Sequence, residues 1–309
     1  MRRSSQTAGV PPIASTIESK AGGAIRTLIR PSRNHQSCHD RRLETPGYTG
    51  PSMPEIIFLG TGTSNGIPVI GCGCDVCRST DPRDRRTRTS ALVRYEGHSV
   101  LIDTATELRA QALANDVRRV DAVLMTHAHA DHTGGFDDLR RFNELQGAHI
   151  PVYADPGTAS MLRERYAYTF TDLFPFYGGK PDLLLHEIDG PFELFGREIV
   201  PIPVLHGRLP ITGFRFGDLA YITDAKEIPA PSLDLLRDLD VLVLNGLRVR
   251  SHPTHLSFSE AVEIVQTVRP RLTYLVHLSH ETGHAEAERL VGAGIEIAWD
   301  GLVVTTRDG

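Results

Sequence analysis

Leu124-Met125-Thr126-His127-Ala128-His129-Ala130-Asp131-His132 directly follows the apolar run Val120-Asp121-Ala122-Val123. Neutral imidazole suits zinc, iron and manganese, and a carboxylate adds affinity for hard ions. On extended backbone, alternate residues share a face, so His127 and His129 point the same way. After a turn, Asp131 and His132 can face the same cavity from another direction. One tetrahedral ion cannot comfortably take all four, so the spacing implies two ions side by side. The competing reading is a surface loop that happens to be rich in histidine. The order of strand, ligand cluster and then Gly134-Gly135 argues against it.

Two ions need more donors, including a group that bridges them. The chain offers three at the ends of strand-like runs. His206 ends Ile199-Val200-Pro201-Ile202-Pro203-Val204-Leu205, Asp224 follows Leu219-Ala220-Tyr221-Ile222-Thr223, and His277 follows Leu272-Thr273-Tyr274-Leu275-Val276. Loops at strand ends on a rigid scaffold are where functional groups gather. A lone His or Asp there is usually structural, but the repeated pattern favours a shared site.

The motif His127-x-His129-x-Asp131-His132, followed by His206, Asp224 and His277, resembles the metallo-β-lactamase superfamily of hydrolases over about residues 55 to 305. The resemblance implies an α/β fold, an αββα sandwich of two mixed sheets flanked by helices, with metals at one end. It also implies that His127, His129 and His206 hold one divalent ion and that Asp131, His132 and His277 hold a second. Asp224 would bridge them.

A second cluster lies in Gly71-Cys72-Gly73-Cys74-Asp75-Val76-Cys77. Three thiols on one tight turn make a poor disulfide framework, whereas tetrahedral zinc commonly takes three Cys and one His. His280, three residues after His277, is the natural fourth donor. The alternative is ordinary reduced cysteines in a loop. With Gly60-Thr61-Gly62-Thr63-Ser64 and His277-Leu278-Ser279-His280, the cluster is similar to the PhnP-like phosphodiesterase family, encoded with bacterial carbon–phosphorus lyase. That family opens a ribosyl cyclic phosphate, and the resemblance implies that Cys72, Cys74, Cys77 and His280 hold a structural zinc. The expected function is therefore a binuclear metal-dependent phosphodiesterase acting on a small or cyclic phosphodiester. Two zinc or manganese ions would activate a bridging hydroxide, since metal binding lowers the pKa of water from ~16 toward ~7.

Asp131 and His255 are the candidate catalytic residues. His255, in His252-Pro253-Thr254-His255-Leu256-Ser257, resembles the family's acid histidine, and a packing or orienting role is the alternative. Asp103, after Leu101-Ile102, either orients a metal-bound imidazole or caps a turn. Arg140, Arg141 and Asn143 form either a phosphate fork or a solvated helix face. Six aromatics between Tyr166 and Tyr177 form a flap, a dimer contact or a packed loop.

Over 309 residues, 40% hydrophobic and 23% charged content fits a globular enzyme, and a net charge of −5 gives no general attraction to nucleic acid. No apolar run approaches the ~20 residues of a membrane span. Residues 1–52 carry eight Lys or Arg against three acidic residues with little periodicity. They read as a disordered or extension arm before a hydrolase domain at 53–309, a transit peptide being the alternative. Thiolate ligation suits a reducing, cytoplasmic setting. The expected partner is a small phosphodiester, without membrane or nucleic acid, and a homodimer stays open. Another superfamily hydrolase acting on a thioester or lactone, a transfer-RNA 3′-end nuclease and a non-catalytic biosynthetic accessory protein are the rival readings. Against the nuclease, Phe176 to Pro181 is too short for an RNA-binding arm.

Overall fold

Alternation along the strands sets the layering. In β1 (Glu55–Gly60), Ile56 and Phe58 face one side and Ile57 and Leu59 the other, and all four are buried. A strand covered on both faces belongs inside a layered domain. The computed structural model describes residues 53–171 and 179–307. The arm at 1–52 and Phe174, Phe176 and Tyr177 of the aromatic segment lie outside the described residues.

Hairpin strands β2 (Ser90–Tyr95) and β3 (His98–Ile102) pair antiparallel, joined through Glu96-Gly97. They continue into β4 (Ala122–Leu124), β5 (Ile150–Ala154) and β6 (Leu183–Glu187), which run parallel to β3. The second half supplies β7 (Phe192–Leu194), β8 (Arg197–His206), β9 (Leu209–Phe216), β10 (Leu219–Tyr221), β11 (Val241–Asn245), β12 (Leu272–Val276), β13 (Ile295–Ile297) and β14 (Val303–Thr305). Among the described residues these form two mixed seven-stranded sheets, β14-β1-β2-β3-β4-β5-β6 and β13-β12-β11-β10-β9-β8-β7.

Three apolar layers result. Ile56, Phe58, Val93 and Leu124 of the first sheet meet Phe214, Tyr221, Val243 and Val276 of the second. The opposite face of the first sheet (Leu59, Leu101, Val123) packs under α1 (Leu108–Ala114), α3 (Leu139–Gln146) and α4 (Pro156–Arg165). The opposite face of the second (Val204, Leu242, Leu275) packs under α6 (Phe258–Val268) and α7 (His284–Val291). Each such side chain, fully buried, contributes about 1.5–3 kcal/mol. The αββα arrangement expected from the sequence is present. Among the described residues no helix is long and apolar enough to cross a membrane.

Local signals explain the element ends. Ser257 caps α6, accepting from the Glu260 amide while Glu260 reaches back to the Ser257 amide, a capping box. Helix α5 (Ala230–Asp234) takes Pro231 in its first turn, where no amide is required. The short helix α2 (Ala130–Thr133) carries Asp131 and His132. Strands β3, β4, β10, β11 and β12 all deliver their C-terminal ends to one edge of the sandwich, and β8 ends there at His206.

Candidate metal centre

Three strand ends at this edge turn through left-handed backbone: Asp103 (φ 59°), Asp224 (φ 58°) and His277 (φ 62°). Few non-glycine residues adopt that conformation, and Asp and His are among the more tolerant. The turn throws each side chain across the end of the sandwich. His127, His129 and His206 form one group of potential ligands, and Asp131, His132, Asp224 and His277 form another, each within 4.8 Å. His127 Nε2 lies 3.0 Å from His129 Nδ1. The Asp224 carboxylate joins the groups. Its Oδ2 is 3.9 Å from His127 Nε2, while its Oδ1 is 3.5 Å from His132 Nε2 and 3.1 Å from His277 Nδ1. All seven residues singled out by the motif therefore surround one cavity.

Hydrogen bonds behind the rings fix which nitrogen faces that cavity. His132 Nδ1 is 2.7 Å from Asp103 Oδ2, so it donates there and leaves Nε2 toward the site. Buried Nε2 has no hydrogen-bond partner, although Asp131 is 3.3 Å away. Burial opposes a charge on His132, but Asp224 and Asp103 overcome it and hold the ring's pKa well above its usual value. The surroundings thus favour a positive charge at that nitrogen, and a divalent cation fits this better than any neutral group.

Thr126 gives its hydroxyl proton to Asp103 Oδ2 at 2.7 Å, so its oxygen accepts from His127 Nδ1 at 2.9 Å. His206 Nδ1 donates to the Thr254 carbonyl at 2.8 Å. The Thr89 hydroxyl donates to Gly62 O and lies 3.1 Å from His277 Nδ1. Burial raises the Asp224 carboxyl, yet His277 and His132 hold it well below the usual carboxylate range. Burial pushes His277 down to about 4.

Asp103, fully buried, orients His132 directly and His127 through Thr126, which decides between its two sequence readings. His255 also joins the site. Its Nε2 lies 3.3 Å from Asp224 Oδ2, and its ring stacks on His277 at 4.9 Å between centroids. Arg140 and Arg141 instead form exposed ion pairs with Asp137 and Glu144, and Asn143 is buried against the carbonyls of Ala148 and Asp182. Of the aromatic segment, Tyr166 stacks on Phe136 at 4.7 Å and Tyr168 donates to Asp137, so its described half is packed.

Sequence reasoning missed Arg165, whose Nη1 donates to Ala128 O at 2.6 Å and Thr133 Oγ1 at 2.7 Å. This guanidinium at the end of α4 clamps the loop between the first two histidines. It also missed Thr89, Thr126 and Thr254, of which two stand directly before a histidine.

Beside this cavity, the sulfurs of Cys72, Cys74 and Cys77 lie 3.3, 3.4 and 3.5 Å from His280 Nδ1. Zinc bonds of about 2.3 Å to sulfur and 2.0 Å to nitrogen at tetrahedral angles imply edges of about 3.5 Å, so the donor set fits. The Cys77 amide and His280 lower the Cys74 thiol to about 6, while burial raises Cys77 to about 11. The knot is tied to the cavity by backbone bonds between Thr61–Thr63 and Leu278, next to His277. On its other side Gly62 lets the Arg86–Thr87 segment pack close, since a Cβ there would sit 3.0 Å from the Arg86 and Thr87 carbonyl oxygens.

Residues 98–278 match the Beta-lactamase superfamily domain. The chain belongs to the metallo-β-lactamase superfamily of hydrolases. It is similar to the crystal structure of a diphosphatase from the PhnP family, with 41% identity and a TM-score of 0.76, covering 81% of this chain and 97% of that one. It is 39% identical over 251 residues to an octanoyltransferase of Porphyromonas gingivalis, covering 80% of this chain. The chain spans only 50% of that relative's length. It is also 28% identical over 261 residues to ribonuclease Z of Mycobacterium sp. (strain KMS), covering 79% of this chain and 82% of that protein.

Proposed function

We propose that this protein is a binuclear metal-dependent phosphodiesterase acting on a small or cyclic phosphodiester. The observation that carries the proposal is the Asp224 carboxylate spanning two ligand groups, with the partly exposed imidazole of His255 beside it. His127, His129 and His206 would hold one ion, Asp131, His132 and His277 the other, with Asp224 shared. Cys72, Cys74, Cys77 and His280 would hold a structural zinc. Bound at the seven-residue site, two divalent ions would supply an activated water and neutralise charge developing on the phosphoryl oxygens.

The chain's own residues do the rest. Hydrogen bonds from Asp103, Thr126 and Thr254 to the far nitrogens of His132, His127 and His206 turn the other ring nitrogens toward the site without rearrangement. His255 is placed to hold a proton at Nε2 for the departing oxygen. The similarity to a PhnP-family diphosphatase supports phosphoryl chemistry in general, and the octanoyltransferase is matched over only half its length.

The test is a substrate panel on protein reconstituted with zinc or manganese: a cyclic phosphodiester, bis(p-nitrophenyl) phosphate, a diphosphate, a lactone and a thioester, with Asp131→Ala as the blank. Metal-dependent turnover of the diesters is expected. Preference for the lactone or thioester would refute the assignment, and preference for the diphosphate would move it to a diphosphatase.

A further inference from the structure

Arg86 is only 3% exposed, so its guanidinium lies inside the domain. Burial lowers it to about 10, and it stays charged at neutral pH. A guanidinium can only donate. Its Nη1 donates to Thr61 Oγ1 at 2.8 Å and to the Ala298 carbonyl at 2.5 Å, and its Nη2 donates to His284 Nδ1 at 2.9 Å. The balancing carboxylate, Asp300, is reached through Thr61, whose hydroxyl donates to Oδ1 at 2.7 Å. One planar fork therefore joins three segments far apart in sequence. A buried charge is weak evidence for stability, but it can specify a single arrangement.

What it specifies is the course of the ligand-bearing stretch from His277 to His284. Leu278 is held at one end, since its amide donates to Thr61 O at 3.1 Å and its carbonyl accepts from the Thr63 amide at 3.0 Å. His284, the first residue of α7, is held at the other, by its amide to Asp84 Oδ1 at 2.6 Å and by its ring to Arg86. His280 lies between these anchors. The Arg86 backbone also pairs with Ile67, at 2.7 and 2.8 Å, where the chain enters the Cys loop. We propose that Arg86 is a positioning residue that holds His277 and His280 in register with the cysteines. It thereby supports the ion at His277 and the zinc at His280, but not the ion at His127, His129 and His206. This rests on the ligand sets of the proposed function and is independent of the substrate. The three histidines of the remaining ion follow β4 or end β8, outside the braced stretch.

The test titrates the metal-free full chain with cobalt against a competing chelator. Near-ultraviolet absorption from thiolate-bound cobalt follows the site of Cys72, Cys74, Cys77 and His280. Asp131→Ala assigns which of the other two steps belongs to the His277 ion. In Arg86→Met and His284→Leu, the thiolate site and the His277 ion should each weaken about tenfold, as for a lost outer partner, with the ion at His127, His129 and His206 unchanged. His284→Asn, whose Oδ1 accepts from Arg86 in place of Nδ1, should recover most of that loss. Val291→Ala opens a cavity in the same helix and removes no hydrogen bond, so it is the stability control and should leave all three affinities unchanged. Should Arg86→Met fail to fold, the two His284 variants decide alone. Unchanged affinities, equal weakening of all three ions, the same loss in Val291→Ala, or no recovery in His284→Asn would each overturn the proposal. Wild type without thiolate-bound cobalt would sink the ligand assignment itself, and the proposal with it.

Discussion

Replacing Asp103 by Asn removes one charge and keeps the shape, and its consequence can be worked from three bonds. Oδ1 accepts the Thr126 amide at 2.8 Å, while Oδ2 accepts the Thr126 hydroxyl and His132 Nδ1, both at 2.7 Å. The Asn amide group must replace one oxygen. If its NH2 takes the Oδ2 position, His132 satisfies it only by moving its own proton to Nε2, and the lone pair facing the site is lost. If NH2 takes the Oδ1 position, the tautomer survives, but the buried Thr126 N–H faces another donor at a cost of about 1–3 kcal/mol. A metal can recruit the second arrangement only by offsetting that cost. Affinity at the site holding His132 should therefore fall about 5- to 150-fold, since each 1.4 kcal/mol is a factor of ten. Asn tolerates the left-handed backbone at residue 103, so the turn is not a confounding change. Competition between the protein and a fluorescent chelator measures the effect. Unchanged affinity for both ions would show Asp103 to be only a turn aspartate and break the tautomer argument.

Cys74→Ser should lower both the melting temperature and diester turnover, because the Cys/His280 knot sits one short segment from His277; full activity with the third metal absent would contradict this. Arg165→Met should weaken metal binding by about tenfold, as expected for a lost outer partner, with titration calorimetry as the readout and unchanged affinity the opposing result. Glu260, against the opposition of burial, is lowered to about 2 by Lys226 and the Ser257 amide. Its folded pKa lies below the ~4.3 of an unfolded chain, so its contribution is complete above about pH 4.3 and fades as pH falls through about 2. Glu260→Gln should therefore be less stable than wild type in urea melts at pH 6, and the gap should narrow at pH 2.5. In metal-free protein, Asp224→Gly should be more stable than Asp224→Ala by about 1 kcal/mol, since left-handed backbone disfavours a Cβ; the reverse order in urea melts would refute strain at that turn.

Much of the sandwich was readable because buried strands announce themselves as short apolar runs between breakers. Ile56–Leu59, the hairpin at Ser90–Tyr95 and Leu272–Val276 are of this kind. Strand β9 was not, since Leu209-Pro210-Ile211-Thr212-Gly213 holds two residues that usually interrupt a strand. In place, Pro210 pairs near the hairpin end opposite Leu205. Gly213 lies where a Cβ would come 3.0 Å from the Tyr221 carbonyl, so close approach to β10 requires it. The metal motif was readable for a different reason: its ligands are contiguous or sit at strand ends, where local sequence decides placement. Their partners were not. Thr89 reaches His277 across 188 positions, and Arg165 reaches Ala128 across 37. Threonine and arginine carry no signature of such duties until the fold brings them together.

The three left-handed turns connect these levels. Asp103, Asp224 and His277 each follow the last apolar residues of a strand whose body is buried on both faces, so the scaffold beneath them is rigid. Glycine would adopt the same backbone at lower cost, yet each position carries a side chain that the cavity uses. The strain, of order 1 kcal/mol at each, is sustained by the apolar layers and turns the side chain inward rather than along the strand. Ligand geometry is thereby set by backbone that cannot relax independently of the sheets, while the tautomers are set by hydrogen bonds behind the rings. The first can be altered without the second, as with Asp224→Gly, and the second without the first, as with Asp103→Asn. A centre organised this way should lose metal affinity through Asp103→Asn with its backbone intact.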